Sequence, residues 1–262
     1  MKVSIITACY NRETTIRECI ESALAQEYNN IEYIVVDGAS IDRSLEIIDE
    51  YRDKITTIIS EPDSGMYEAI NKGIRAASGD IIGLLHSDDT FYSPDAITKV
   101  VREMESEQAD MLYANGLFVA EDNHDKIIRN WISGAYEMSN IPNGWLPLHP
   151  TVYIRRECFT QKGVYDESYK IAADSDLLVR YMYNNDLKIT YLDDYLVKMR
   201  MGGLSTDPQK IKQKWREDIR MYRSHGLNPY WALGGKILSK IPQFISAKLL
   251  TLNDKKGSYQ LR

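Results

Sequence analysis

The sequence predicts an α/β domain in which a mostly parallel sheet is flanked by helices. In the first hundred residues, short β-branched runs alternate with segments whose apolar residues recur at helical spacing. A chain of 262 residues is also long enough for one large domain with appended elements. Because successive strand–helix units join through right-handed crossovers, this alternation is typical of a doubly wound sheet.

Four strand–helix pairs account for the first part of the chain. The strands are predicted at residues 2–8, 31–36, 56–59 and 80–85, and the helices at 14–26, 42–51, 66–77 and 95–107. The last of these helices has a clear start, because Ser93 and Pro94 suit the N-cap and first-turn positions.

The second part of the chain is less regular. Strands are predicted at residues 110–120, 127–131, 151–155 and 188–192, and helices at 174–183, 209–224 and 231–250. Residues 140–150 contain three prolines and are expected to form an irregular loop. Such loops usually indicate a site or a lid.

Composition excludes several classes of protein. Hydrophobic residues make up 44% and charged residues 27% of the chain, which argues against collagen-like, low-complexity and disordered sequences. Three widely spaced cysteines fit neither a disulfide framework nor a zinc site, and favour a reducing cytosol. The sequence has no secretory signal pattern and no apolar run of roughly 18 residues, so we expect a cytoplasmic protein without a spanning helix.

Charge is distributed unevenly along the chain. The net charge of −6 disfavours a general nucleic-acid binder. Division at Pro208 gives −15 for the residues before it and +9 for those after it. An acidic body is compatible with metal-assisted chemistry or with solubility alone, whereas a basic tail favours an anionic partner such as a membrane surface.

Polar residues follow each of the first four predicted strands. Because ligands of open parallel sheets bind beyond the carboxyl ends of the strands, these residues are candidates for a site. They are Thr7, Tyr10, Asn11 and Arg12, then Asp37, Gly38 and Ser40, then Asp63 and Gly65, and finally His86, Ser87, Asp88 and Asp89. Each group alone is also compatible with a turn or a helix cap, but their joint occurrence favours a polar ligand.

The type of ligand follows partly from patterns that the sequence lacks. The first strand–helix turn has neither a glycine-rich dinucleotide motif nor a P-loop. Asp88 and Asp89 offer hard oxygen ligands, which suit Mg²⁺ or Mn²⁺ shared with substrate phosphates. The residues therefore favour a nucleotide diphosphate bridged by a divalent cation.

Four segments resemble sequence blocks of family 2 inverting glycosyltransferases, which have the Rossmann-like GT-A fold. They are SIITACYNRE, EYIVVDGASIDRS, SEPDSGMYEAINKGIRAASGDIIGLLHSDD and GVYDESYKIAADSDLLVR, in the family's order. The resemblance implies a catalytic domain at 1–206, with a nucleotide-sugar-binding half at 1–109 and an acceptor half at 110–206. A basic helical extension follows at 207–262. A role in bacterial cell-surface polysaccharide or glycolipid assembly is also implied.

The resemblance implies a donor site along the predicted sheet edge. The base and ribose of a nucleotide sugar, with UDP-sugars as the first expectation, would lie near these side chains: Thr7, Tyr10, Asn11, Arg12, Asp37 and, in the following helix, Asn71.

The family's Asp-x-Asp metal motif falls on His86-Ser87-Asp88, so a histidine replaces the first aspartate. Asp88 is then the expected ligand of Mn²⁺ or Mg²⁺, with Asp89 as a supporting carboxylate. His86 and Ser87 are expected near the ribose or phosphates.

Asp174 matches the family's catalytic base, although Ala173 replaces the glutamate that often precedes it. Inverting transfer needs one carboxylate that accepts the proton of the acceptor hydroxyl. The alternative is that Asp174 only caps a helix. Asp176 is expected to pair with Arg180 four residues later.

Four further residues are expected on the acceptor or diphosphate side. His149 resembles an acceptor-side position of the family, while Trp145 is able to stack on a sugar ring. Gly202 and Gly203 would supply flexible backbone and N–H donors near the diphosphate. A structural histidine, a packed tryptophan and a plain turn are the respective alternatives.

The basic tail contains an apolar helical stripe in KILSKIPQFISAKLL. It predicts an interfacial helix on the inner face of the plasma membrane, where a lipid-linked sugar acceptor would reside. A helix packed on the catalytic domain or in a homodimer explains the stripe equally well.

Two functions from other classes remain as alternatives. A sugar-nucleotide nucleotidyltransferase would share the crevice and the cation but should have a glycine-rich loop after the first strand, which CYNRET is not. A non-catalytic nucleotide-sugar-binding module would need no base, so replacement of Asp174 would leave its function intact.

Overall fold

Within the part of the chain that the structure describes, one sheet of nine strands forms the centre of the molecule. A computed structural model describes residues 1–121, 123–202, 210–238, 242–244 and 247–248. The strands are hydrogen-bonded in the order β3-β2-β1-β4-β8-β6-β9-β5, and β7 pairs with β6. Their bounds are β1 Val3–Cys9, β2 Ile31–Asp37, β3 Thr57–Ser60, β4 Ile81–Leu84, β5 Thr90–Phe91, β6 Met111–Ala120, β7 Asn123–Trp131, β8 Tyr153–Arg155 and β9 Ile189–Arg200.

Helices cover both faces of this sheet. Their bounds are α1 Ile16–Leu24, α2 Ser44–Asp49, α3 Met66–Ala76, α4 Ala96–Ser106, α5 Arg156–Lys162, α6 Ala173–Met182, α7 Ile211–Ser224 and α8 Pro229–Leu238. Helices α1, α2 and α4 contribute to the apolar core on one face. Helices α3, α5, α6, α7 and α8 contribute to the core on the other. This is the GT-A architecture that the sequence predicts.

The first four strand–helix units agree with the prediction to within a few residues. Strands β3, β2, β1 and β4 are adjacent and parallel. The second half makes the sheet mixed, because β8 runs antiparallel to both β4 and β6. Strand β6 is parallel to β9 and antiparallel to β7. The predicted loop at 140–150 overlaps two short 3-10 turns, Met138–Asn143 and His149–Thr151.

Helix α8 approaches the first 3-10 turn unusually closely. A Cβ on Gly235 would lie 1.9 Å from the carbonyl oxygen of Asn143, and one on Gly144 would lie 1.9 Å from that of Ala232. Gly144 also has φ of +81°, which favours glycine. The two backbones are therefore in contact because both contact positions lack a side chain.

The helix predicted at 231–250 is described as α8 up to Leu238, and most later residues lie outside the described ranges. None of the helices within those ranges is both long enough and apolar enough to cross a membrane.

Candidate active site

The carboxyl ends of β1, β2 and β4 lie side by side. Cys9 and Asp37 are partners at the ends of β1 and β2, and Ile6 of β1 is opposite Leu84 of β4. The residues that follow these strands therefore leave the sheet at the same edge. This edge holds the polar groups expected to bind a ligand.

Asp37 is buried at the end of β2, and serine residues fix its carboxylate. It accepts hydrogen bonds from Ser40 N at 3.1 Å and from Ser60 Oγ at 2.8 Å. A Cβ on neighbouring Gly38 would lie 2.4 Å from Asp63 Oδ2, so a side chain at this position would displace the Asp63 carboxylate. The carboxylate is held in one orientation at the edge of the crevice.

The loop after β1 is bound to the loop after β2. Asn11 has φ of 53°, a left-handed conformation that asparagine tolerates, and its N–H donates to Ser40 Oγ at 2.9 Å. Its side-chain oxygen accepts from Ile41 N at 3.0 Å. Tyr10 is 56% exposed, so its ring is accessible to a ligand. Arg12 lies close enough to Asp89 for its charge to oppose the raised pKa of that carboxyl.

Thr7 and Asn71 are predicted donor-site residues whose side chains are fully buried. The Thr7 hydroxyl donates to the Leu85 carbonyl at 2.8 Å, so it links β1 to the end of β4. Asn71 Nδ2 donates to the Tyr165 carbonyl at 2.9 Å, and its Oδ1 accepts from Tyr165 N at 3.0 Å. Neither side chain is brought to the crevice surface, so their effect on a donor would be indirect.

The turn after β4 presents two neighbouring carboxylates. Asp89 is 2% exposed; its Oδ1 accepts from Arg200 N at 3.1 Å, while its buried Oδ2 has no hydrogen-bond partner. Burial, together with the charge of Asp88, raises the pKa of Asp89 well above its ordinary value. Asp88 is half-buried, and buried Ser87 binds Thr15 through its backbone carbonyl.

These carboxylates fit a cation that is shared with a substrate. The described residues contain no cluster of three or more His, Cys, Asp or Glu side chains that would hold a metal ion alone. Mg²⁺ and similar cations are commonly held by one or two carboxylates together with substrate phosphates. The unpartnered oxygen of Asp89 beside Asp88 is consistent with that smaller donor set.

Two histidines from distant parts of the chain meet at this turn. The rings of His86 and His149 are stacked with centroids 6.2 Å apart. His149 Nε2 is 2.7 Å from the Tyr165 hydroxyl. Burial lowers the pKa of His149 to about 4, and burial also lowers that of His86, in both cases against the opposing charge of Asp174. Both imidazoles are therefore neutral at neutral pH.

Asp174 lies in the first turn of α6, close enough to both histidines for its charge to act on their pKa values. Its Oδ1 accepts the N–H of Ser175 at 2.6 Å, and within the described residues no other hydrogen bond to its carboxylate is found. Asp176 has a different environment, because its carboxylate contacts Arg180 at 3.4 Å and His225 at 2.9 Å. The expected pairing of Asp176 with Arg180 is confirmed.

Glu217 is a buried residue of α7 that the sequence analysis missed. Its Oε2 accepts three backbone hydrogen bonds, from Lys170 at 3.0 Å, Ile171 at 2.8 Å and Ala172 at 3.1 Å. These residues immediately precede α6. One carboxylate from the C-terminal part thus fixes the segment that leads to Asp174.

The remaining residues are those that the sequence analysis predicts on the acceptor or diphosphate side. Trp145 is half-buried, packs against Tyr113 and Tyr136, and donates from Nε1 to the Ser133 carbonyl at 3.0 Å. Its ring is therefore partly covered by the protein. Gly202 has φ of +121°. Gly203 lies outside the described residues.

A model of the family described as "Glycosyl transferase family 2" matches residues 4–172. The chain belongs to this family. Its match includes β1, the turn after β4 and the segment held by Glu217, but ends two residues before Asp174.

Two curated mycobacterial relatives differ in how much of the chain they match. The uncharacterized glycosyltransferase Rv1514c of Mycobacterium tuberculosis is 40% identical over 96 residues, which are 36% of this chain and 37% of that protein. A PGL/p-HBAD biosynthesis glycosyltransferase of Mycobacterium bovis is 28% identical over 206 residues, which are 77% of this chain and 78% of that protein.

Two solved structures share the fold. TarS 1–349 of S. aureus in complex with UDP-GlcNAc has a TM-score of 0.68 at 21% identity, over 83% of this chain and 65% of that one. The mannosyltransferase PcManGT of Pyrobaculum calidifontis, in complex with GDP-Man and Mn²⁺, has a TM-score of 0.61 at 15% identity, over 99% and 81%.

Proposed function

We propose that this protein transfers a sugar from a nucleotide-diphosphate sugar to an acceptor hydroxyl with inversion at the anomeric carbon. The observation that carries the proposal is the position of Asp174 near His86 and His149, beside the turn that holds Asp88 and Asp89. The same region would thus hold a carboxylate that accepts the proton and carboxylates that bind a cation.

Asp174 is the proposed general base. The acceptor oxygen attacks the anomeric carbon while its proton passes to the Asp174 carboxylate. The bond between the anomeric carbon and the diphosphate oxygen breaks, and its electron pair leaves with the diphosphate. The fixed start of α6 keeps the base in place, which lowers the entropic cost of this step.

Asp88 and Asp89 are the residues that would hold Mn²⁺ or Mg²⁺ together with the donor diphosphate. A cation bound there would stabilise the negative charge that develops on the leaving group. Membership of the family and the Mn²⁺ in the PcManGT complex support this assignment. The neutral imidazole of His86 would lie near the ribose or phosphates and adds no positive charge.

The donor is proposed to be a UDP-sugar, on the basis of the UDP-GlcNAc complex of TarS. Tyr10, Asn11, Arg12 and Asp37 would contact the base and ribose of this donor. Trp145 and His149 are proposed on the acceptor side. The proposed acceptor is a sugar or a lipid-linked sugar. The proposed pathway is the assembly of cell-surface polysaccharide or glycolipid in the cytoplasm, and the PGL/p-HBAD biosynthesis glycosyltransferase supports this class of pathway.

The assignment of Asp174 is tested with Asp174→Asn. We expect transfer to fall to background while binding of the nucleotide sugar, measured by calorimetry with Mn²⁺, survives. Asp186→Asn is the matched control, because Asp186 is exposed and lies outside the crevice. Turnover that persists in Asp174→Asn would remove the base from this position.

A panel of nucleotide sugars tests the reaction class. Release of a nucleoside diphosphate identifies a transferase, and the donor that gives the highest rate identifies the sugar. A sugar-nucleotide nucleotidyltransferase would release pyrophosphate from a sugar phosphate and a nucleoside triphosphate instead. Donor binding without turnover over a broad acceptor panel would favour a binding module.

A further inference from the structure

The outward side of α7 is basic because its acidic residues point inward. Glu217 and Asp218 are 8% and 2% exposed. Glu217 binds the segment before α6, and Asp218 contacts Lys236 of α8 at 3.4 Å. Lys212, Arg216 and Arg223, by contrast, are all exposed.

Apolar side chains lie among these cations. Trp215 is 48% exposed, and together with half-buried Ile219 it borders an open depression of about 640 Å³ on α7. Arg216 and Arg223 also line this depression. Apolar side chains between guanidinium groups are suited to bind a surface that is both apolar and anionic.

Helix α8 continues this surface with an exposed apolar side. Tyr230 and Trp231 are 69% and 70% exposed, while Ile237 and Leu238 are 50% and 66% exposed. Their spacing of seven residues places them on one side of the helix. The Tyr230 hydroxyl lies 3.5 Å from Arg223, which connects this side of α8 to α7.

We propose that the outward sides of α7 and α8, here called the basic–aromatic face, bind the surface of an anionic lipid bilayer. Basic residues attract anionic headgroups, while tryptophan, tyrosine and aliphatic side chains enter the boundary between headgroups and acyl chains. The residues before Pro208 carry a net charge of −15, so an anionic surface would repel the rest of the molecule. The charge distribution therefore favours one orientation.

A second copy of the chain fits this face less well. A two-fold dimer brings the same surface of both subunits together. Lys212, Arg216 and Arg223 of one copy would then approach those of the other without carboxylates between them, because Glu217 and Asp218 of α7 are turned inward. Like charges at that distance are unfavourable.

The orientation has a consequence for the acceptor that rests on the proposed function. Helix α7 would contact the bilayer with one side and the segment before Asp174 with the other. The catalytic carboxylate would then lie about one helix diameter, roughly 10 Å, from the membrane surface. An acceptor sugar attached to a lipid headgroup would reach the Asp174 carboxylate at this distance from the membrane surface.

The binding itself is tested by sedimentation with vesicles, without donor or acceptor. We expect the full chain to bind vesicles of phosphatidylcholine mixed with phosphatidylglycerol, and to bind phosphatidylcholine alone far more weakly. The triple variant Lys212→Gln/Arg216→Gln/Arg223→Gln should lose about fivefold in partitioning per removed charge. Because no substrate is present, failure of this test and failure of the proposed reaction are separate results.

The control variant removes the same number of positive charges from the part of the chain before Pro208. Lys54, Arg75 and Arg102 are exposed, and replacing all three with glutamine should leave vesicle binding nearly unchanged. An equal loss in both triple variants would overturn the assignment of the face. A dimer by light scattering that the α7 variant dissociates would also overturn it, in favour of a second copy.

The depth of binding is tested through Trp231, the exposed tryptophan of α8. Vesicles whose acyl chains carry bromine near the headgroup should quench the fluorescence of Trp215 and Trp231, which both lie on this face, and Trp231→Phe should remove the part that comes from α8. Equal quenching in the wild type and Trp231→Phe would contradict insertion of α8. Thermal unfolding of each variant confirms that these exposed substitutions leave the fold intact.

Discussion

Glu217 Oε2 accepts a hydrogen bond from the backbone N–H of Ala172 at 3.1 Å, two residues before Asp174. Two further N–H groups, of Lys170 and Ile171, donate to the same oxygen. A negative charge at the start of α6 is also favourable to the helix dipole. Through this side chain, the C-terminal part of the chain holds the backbone that immediately precedes the candidate catalytic residue.

Substitution of Glu217 should therefore affect catalysis more than donor binding. Glu217→Ala releases the three N–H groups, and we expect kcat to fall about ten- to a hundredfold because the base is misplaced. The KM for the nucleotide sugar should change little, and Glu217→Gln should recover part of the loss. Steady-state kinetics measure the split. A lower Tm with unchanged kcat in Glu217→Ala would show that the contact only stabilises the fold.

Two adjacent glycines of α8 provide a matched pair for the contact with the 138–143 turn. Gly235→Ala would place a Cβ 1.9 Å from the backbone oxygen of Asn143, so we expect destabilisation of about 1–3 kcal/mol. Gly234→Ala has no atom within 4 Å of the new Cβ and should stabilise the helix by about 0.5–1 kcal/mol. Urea unfolding and hydrogen exchange of residues 229–238 measure both. Equal effects of the two substitutions would contradict the close packing.

Glu32 should make stability depend on pH. It is buried and accepts hydrogen bonds from Lys2 Nζ at 3.0 Å, Ser4 Oγ at 2.5 Å and Ser78 N at 2.7 Å. Burial alone would raise the pKa of Glu32, but these hydrogen bonds outweigh it and lower the pKa from 4.5 to about 2.

Because the folded pKa is the lower one, the stabilisation is fully present above about pH 4.5 and is lost as the pH falls towards 2. Glu32→Gln should lower the free energy of unfolding at pH 7 by about 1–3 kcal/mol and should flatten its decline between these pH values. Urea unfolding at several pH values measures the effect. An unchanged pH dependence in the variant would exclude Glu32 as its source.

Removal of the Asp88 carboxylate should separate cation binding from nucleotide binding. In the wild type we expect Mn²⁺ to strengthen the binding of a nucleoside diphosphate, and Asp88→Ala should reduce this enhancement at least about tenfold. Binding of the corresponding nucleoside, which has no phosphate, should stay the same. Calorimetry with and without EDTA measures both. An enhancement that persists in Asp88→Ala would assign the cation to other residues.

Regular patterns in the sequence account for most of the fold. The first four strand–helix units are predictable because each strand is a short run rich in β-branched apolar residues and each helix has a single apolar side. Strand β5 has only two residues, too few for any periodic signal. Strand β9 extends to Arg200, beyond the predicted residues 188–192, because register shifts near Asn115 accommodate the acidic pair Asp193 and Asp194.

The candidate site is predictable only where a residue lies at, or within a few positions of, the boundary of a regular element. Asp37, Asp88 and Asp174 each occupy such a position. Glu217 lies 43 positions after Asp174 in the middle of a basic helix, and its contact depends on the packing of α7 against α6. The sequence offers one signal for Glu217: apart from Asp218, it is the only acidic residue of α7. Thr7 and Asn71 look like site residues because their polarity is visible in the sequence and their burial is not.

The paired hydrogen bonds between Asn71 and the backbone of Tyr165 resemble those of a neighbouring strand, although one partner is a side chain. They connect the helix after β3 to the segment that leads into α6, across 94 positions of sequence. Separation of these segments would expose three buried polar groups, so hinge-like opening at this point is costly. We therefore expect that evolution of a new acceptor preference alters the surface loops, while the distance between α3 and the segment before α6 stays constant.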